Sequence, residues 1–170
     1  LAIAMAELGS ISERRLDKMV NVHLSKLPAF LSANSGLCSG FMIPQVVAAA
    51  LVSENKIHAH PASVDSIPTS ADQEDHVSMG PIAAFKAQRL VRNVGNVLAI
   101  ELIAACEGLE FLKPLVPSPV LQDVYDEVRV LCASYQDDRA LAPDIARVAT
   151  YIVQGGLVEI ARAHRKLEEM

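Results

Sequence analysis

Val97-Leu98-Ala99-Ile100-Glu101-Leu102-Ile103-Ala104-Ala105-Cys106-Glu107-Gly108-Leu109 is the stretch that decides the fold. Wound as a helix it is apolar on nearly every side, with Glu101 and Glu107 its only charged positions. A helix of that pattern has to be buried all round. It is also the second half of something longer, because Pro81 opens a segment with no further proline until Pro114. Some 30 helical residues span about 45 Å, whereas a compact globule of this size has a radius of gyration of about 15 Å. One small domain supplies too few neighbours for such a helix. The expectation is a large helical bundle, completed by further sequence, by other subunits, or by both.

The elements on either side agree. Ser118 and Pro119 open an amphipathic helix with Leu121, Val124, Tyr125, Val128, Leu131, Cys132 and Tyr135 as its apolar stripe. Asp123, Asp126, Glu127 and Arg129 fall on its wet face. Pro143 opens another helix with Ile145, Val148, Ala149 and Ile152 inward, broken by Gly155-Gly156 before a charged tail over 157–170. Phe41–His58 is helical in composition, and Pro44 is tolerated there because it lies in the first turn. At the start, 1–8 reads as an apolar helix capped by Gly9, followed by a Ser10–Glu13 capping box that opens a short charged helix. Nothing alternates with period two for long enough to make a strand, and no repeat is present. The fold class is all-α.

Two long irregular stretches interrupt the helices, 22–40 and 60–80, both rich in Gly, Pro, Ser and Asn or Asp. Loops of that length are uncommon in compact domains and tend to carry function. The second holds His60, Asp65, Gln73, Glu74, Asp75 and His76.

Composition narrows the function. Of 170 residues 51% are hydrophobic, 4% are aromatic and none is Trp, so the apolar mass is Ala, Val, Leu and Ile, which suits closely packed helices. Fifteen basic against twenty acidic residues give a net charge of −5 with no basic run. That argues against nucleic acid or an anionic membrane surface as partner. No apolar run reaches the roughly 18 residues of a membrane span, and 1–8 lacks the basic lead of a signal peptide. Cys38, Cys106 and Cys132 are odd in number, far apart and without a CxxC pair, as expected of free thiols in a reducing compartment. The chain begins at Leu1 in mid-pattern and reads as part of something longer.

Three clusters could carry chemistry. Gly36-Leu37-Cys38-Ser39-Gly40 mimics a nucleophile elbow, but that device needs a strand before it, and none is expected here. His58-Ala59-His60 with Asp65 or Asp75 could form a metal site, yet no third ligand stands at a diagnostic spacing, and no metal is expected. Gln73-Glu74-Asp75-His76 is the densest polar cluster and precedes the buried helix. Its carboxylates suit an active site as well as simple charge complementarity to a helix N-terminus.

Several runs resemble the histidine ammonia-lyases of the aromatic amino acid lyase fold. They are Ser39-Gly40-Phe41-Met42-Ile43, Ser53-Glu54-Asn55-Lys56, the run His60-Pro61-Ala62-Ser63-Val64-Asp65-Ser66-Ile67-Pro68-Thr69-Ser70, and Gln73-Glu74-Asp75-His76-Val77-Ser78-Met79-Gly80. The opening Ala6–Arg15 and the late Ala142-Pro143-Asp144-Ile145 fit the same family. The resemblance implies that residues 1–170 form one helical unit, the C-terminal portion of a larger chain, with two long functional loops. It implies a cytoplasmic homotetramer that eliminates ammonia from L-histidine to give urocanate. The family's electrophile is methylidene-imidazolone, formed from an Ala-Ser-Gly triad, and no Ala-Ser-Gly occurs in these 170 residues. The resemblance therefore places the cofactor in a missing N-terminal portion.

Carried over by position, Glu74 matches the family's pocket glutamate, set against the substrate's imidazole and amino group, where it would accept a hydrogen bond or move a proton. Met42 matches a methionine lining the side-chain pocket, and Gln73 a supporting polar residue. Phenylalanine- and tyrosine-specific relatives more often carry an amide at the glutamate position. A carboxylate against an uncharged ring would be costly, so Met42 with Glu74 resembles the histidine-specific members. Cys38 and Asp72 each stand where the family has Asn, and Asp72 adds negative charge beside Glu74. The alternatives are a non-catalytic helical assembly fragment, or a tyrosine or phenylalanine ammonia-lyase or aminomutase of the same family.

Overall fold

The computed structural model describes residues 1–62 and 66–168, with side chains described to residue 165. Asp65, one of the metal candidates, lies outside the described residues. The elements run α1 (Ala2–Val20), α2 (Val22–Ser25), a single 3-10 turn (Ala29–Leu31), α3 (Met42–Ala59), α4 (Gly80–Glu110), α5 (Pro119–Leu131), α6 (Ala142–Val153) and α7 (Gly156–Glu168). Among the described residues there is no β-sheet, only two isolated bridges. The all-α class is confirmed, and so are α3, α4 and α6 within a residue or two of their expected ends, whereas α5 stops at Leu131 and leaves Tyr135, expected on its apolar stripe, in the connection that follows.

The core forms around the second half of α4. No residue from Val97 to Glu110 is exposed, and Val97, Ala99, Ile100, Ile103, Ala104, Cys106, Glu107 and Gly108 are fully buried. The neighbours come from α1, α3, α5 and α6 of the same chain, so the chain itself covers these buried positions. The first half differs. Ile82 and Phe85 stand 56% and 66% exposed on one side of the opening turns. An apolar helix end without cover is where the expected larger bundle would continue.

Three local expectations are corrected by packing. Gly9 does not cap a helix; it sits inside a continuous α1, where a Cβ would come within 3.2 Å of Val94 Cγ2. Glycine weakens a helix interior by about 1 kcal/mol, but here it lets α1 lie close to α4. The Ser10–Glu13 capping box is not formed either, because Ser10 lies inside α1 and Glu13, like Ser12, is buried. Ser12 Oγ donates to Glu101 at 2.5 Å, and Glu13 accepts from Gln45 Nε2 at 3.0 Å and from Arg14. The charged tail forms α7, tied to α5 by His164 and Asp123 at 2.7 Å.

Arg129 is likewise not on a wet face. It turns inward to Glu107, which is 2% exposed, at 2.7 Å, and reaches Glu110 at 3.2 Å. Glu107 also accepts from Ser134 Oγ and from the Tyr135 N–H at 2.8 Å. A buried carboxylate requires such partners, and they are what lets Glu107 sit in the apolar half of α4. Burial pushes the nearby Cys106 thiol up to about 11, which keeps it protonated and inert at neutral pH. Cys38, Cys106 and Cys132 are all free thiols. No helix among the described residues is long and apolar enough to cross a membrane.

Candidate active site

Met42 opens α3, and the ten residues before it make an irregular approach that the structure fixes tightly. Gly40 adopts φ +56°, and a Cβ there would fall 2.5 Å from the Phe30 carbonyl oxygen, so only glycine fits. Phe41 is completely buried and donates its N–H to that same carbonyl at 2.8 Å. Met42, next in sequence, is 38% exposed and free to line a cavity. Cys38 is half-buried, and its N–H donates to the Asn34 carbonyl in a turn. With no strand before it, the nucleophile-elbow geometry is not built.

Among the described residues the segment 66–79 is closed by its own hydrogen bonds. Ser66 Oγ accepts from the Val77 N–H at 2.8 Å, closing the base of a hairpin. Further out, Thr69 and Glu74 exchange backbone hydrogen bonds of 2.9 and 3.3 Å. Between them Ser70, Ala71 and Asp72 all adopt positive φ, 54°, 53° and 63°. Three consecutive left-handed residues without glycine are costly. The result is a tight tip that presents Gln73, Glu74 and Asp75 to solvent, where all three are exposed. The sequence cluster is thus a turn standing several residues before α4, not the cap of that helix.

His58 and His60 do not converge. His58 Nε2 meets Glu54 at 3.2 Å, while His60 Nδ1 faces the Pro61 carbonyl and its own carbonyl receives Lys86. Among the described residues no group of three His, Cys, Asp or Glu side chains is placed to hold a metal ion.

Gln73 and Glu74 share the hairpin, but Met42 of the same chain is remote from them. Asn93 of α4 donates to Asn55 of α3 at 3.1 Å, and Lys86 meets His60, so the two helices run antiparallel. Along that pair Met42 and Gly80 are separated by about 39 Å at 1.5 Å per residue. The six steps from Gly80 back to Glu74 reach at most about 21 Å. One copy of the chain therefore cannot line one pocket with both residues.

Sequence reasoning missed the residues that hold Met42's approach. Asp138, in the connection between α5 and α6, accepts the Ser39 N–H at 2.7 Å and the Gly40 N–H at 3.0 Å. Those two donors, the Ser39 amide first, hold its carboxyl below the usual aspartate value. Tyr135 packs edge-on against Phe41 with centroids 5.4 Å apart. A cavity of about 550 Å³ lies beside this junction, lined on its apolar side by Ile43, Pro44, Val47 and Ile145. No sequence signal links positions nearly a hundred residues apart.

The family model for aromatic amino acid lyases matches residues 1–130. A histidine ammonia-lyase of Symbiobacterium thermophilum is 55% identical over 96% of this chain and 32% of its own length. The crystal structure of histidine ammonia-lyase from Trypanosoma cruzi superposes with a TM-score of 0.91 at 48% identity, over 96% of this chain and 32% of that one. Tyrosine aminomutase from Streptomyces globisporus gives 0.88 at 38% identity, over 95% and 31%. The chain spans about a third of the length of these relatives.

Proposed function

This chain belongs to the aromatic amino acid lyase family, and we propose on that premise that it serves, within a full-length enzyme, to eliminate ammonia from L-histidine and give urocanate. The observation that carries the substrate is Glu74, an exposed carboxylate at the tip of a strained hairpin that makes no ion pair among the described residues. A charged acceptor there suits the N–H of an imidazole and a protonated amine. Beside an uncharged ring it would be desolvated without return. Identity of 55% to a histidine ammonia-lyase against 38% to a tyrosine aminomutase supports the same choice.

Methylidene-imidazolone, the family's cofactor, would supply an electrophile. The residues of this chain do not provide it. The Ser-Gly steps at 35–36 and 39–40 follow Asn34 and Cys38, not Ala, and the amides of Ser39 and Gly40 are committed to Asp138. What this chain contributes is recognition and a carboxylate able to move a proton. Glu74 accepts from the substrate's imidazole or amino group, Gln73 supports it, and Met42 closes the side-chain pocket. The separation of Met42 from Glu74 supports a pocket assembled from more than one copy, as in a homotetramer.

The test is absorbance at the urocanate band. Full-length enzyme is expected to convert L-histidine, with tyrosine and phenylalanine far slower. The 170-residue chain alone is expected to give no turnover. Equal rates on histidine and tyrosine would refute the role given to Glu74, and turnover by the isolated chain would refute the placement of the electrophile.

A further inference from the structure

The geometry points to Asp138 as a positioning residue for Met42, and through it for recognition of the substrate side chain; this rests on the function proposed above. Met42 lies two residues beyond Gly40, and α3 has no side-chain cap of its own. The carboxylate that satisfies the approach comes instead from Asp138, whose two oxygens take the Ser39 and Gly40 amides separately. A bidentate grip on consecutive amides fixes orientation as well as position.

Asp138 is in turn held from the core. Tyr135 donates its hydroxyl to Asp138 at 3.3 Å and its backbone N–H to buried Glu107 at 2.8 Å. Its ring edge meets Phe41, and the Arg139 guanidinium lies over the ring, 5.6 Å from the centroid. Arg139 also donates to the Ala133 carbonyl at 2.9 Å and to buried Asp144. The path is continuous from α4 through Glu107, Tyr135 and Asp138 to the turn that ends at Met42. A helix cap alone would not require this second layer. Rigid support behind a pocket residue is what precise substrate contact requires.

The test uses the full-length enzyme. Asp138→Ala is expected to raise KM for L-histidine about tenfold and leave kcat within about twofold, because pocket contacts act on bound substrate and transition state alike. Hydrogen exchange across 38–42 should rise while that of 66–77 stays unchanged. Asp138→Asn keeps an acceptor for one amide and should fall between, a variant that also guards against misfolding of the alanine form. In a Met42→Ala background, Asp138→Ala should add nothing further to KM, since a residue acting through another is not additive with it. Additive effects, or an unchanged KM with faster exchange, reduce Asp138 to a cap and overturn the positioning role. Unchanged exchange overturns the clamp itself. If the unsubstituted enzyme gives no urocanate, the proposed substrate falls, and the exchange comparison still decides the clamp.

Discussion

The two segments proposed to meet the substrate are built in opposite ways. The approach to Met42 is welded to the rest of the molecule: Phe41 is buried, Leu31 is fully buried, and Asp138 reaches in from 98 positions away. Among the described residues the hairpin carrying Glu74 is held by its own bonds, Ser66 with Val77 and Thr69 with Glu74. A pocket wall has to hold its shape, and that takes tertiary contacts. A group that accepts or moves a proton has to be presented, and a strained local turn suffices for that. Local stability follows tertiary contacts, so the two segments should respond differently to the same kinds of perturbation.

The largest difference is expected from Glu74→Gln. The backbone bonds of the hairpin survive the change, so stability should stay within about 0.5 kcal/mol. Histidine turnover should fall about 100-fold or more, the range of a lost proton-transfer group. Steady-state kinetics beside a urea unfolding curve reads both. Unchanged kinetics would remove Glu74 from the chemistry and erase the contrast.

Gly40→Ala tests the opposite end and should strike folding first. The new Cβ meets a backbone oxygen that cannot swing away, at a φ that L residues avoid. A loss of about 2–4 kcal/mol is expected, seen as a lower urea midpoint. A midpoint within error of the parent would mean the approach to α3 is far softer than the geometry says.

Acid should separate the two ends with a smaller effect. Asp138's carboxyl is depressed below its ordinary 3.8 by the Ser39 and Gly40 amides. A group with a lowered folded value contributes stability that is present above the ordinary value and lost as pH falls through the folded one. Below pH 3.8, exchange at Ser39 and Gly40, corrected for its intrinsic rate, should therefore accelerate. Thr69 and Glu74 are held by backbone groups alone, so their amides should show no matching step. Parallel behaviour at both ends would deny that the Asp138 charge matters.

The same contrast explains what could be read from the sequence. The buried half of α4, the apolar faces of α5 and α6, and the helix start at Pro81 are written in period 3.6, so they were legible. The polar tip at 73–75 was legible as a cluster because its bonds are local. Gly9 and Arg129 were not, since each depends on what another helix places opposite: Val94 against the glycine, Glu107 against the guanidinium. Asp138 belongs with them. In the sequence it is one acidic residue in a turn, and only folding brings it to Ser39 and Gly40.

The smallest expected effect is also the most discriminating about the hairpin. Ala71 sits at φ +53° in an exposed tip, a conformation that costs an L residue about 1–2 kcal/mol. Ala71→Gly removes that cost, but the unfolded chain gains freedom worth about 0.5–1 kcal/mol, so the urea midpoint should hold or rise slightly. Turnover should stay within about twofold if the Thr69–Glu74 pairing alone aims the carboxylate. A marked fall in kcat with an unchanged midpoint would mean that the stiffness of the left-handed turn is itself required. The hairpin would then match the Met42 approach in rigidity, obtained from backbone strain instead of from tertiary bonds.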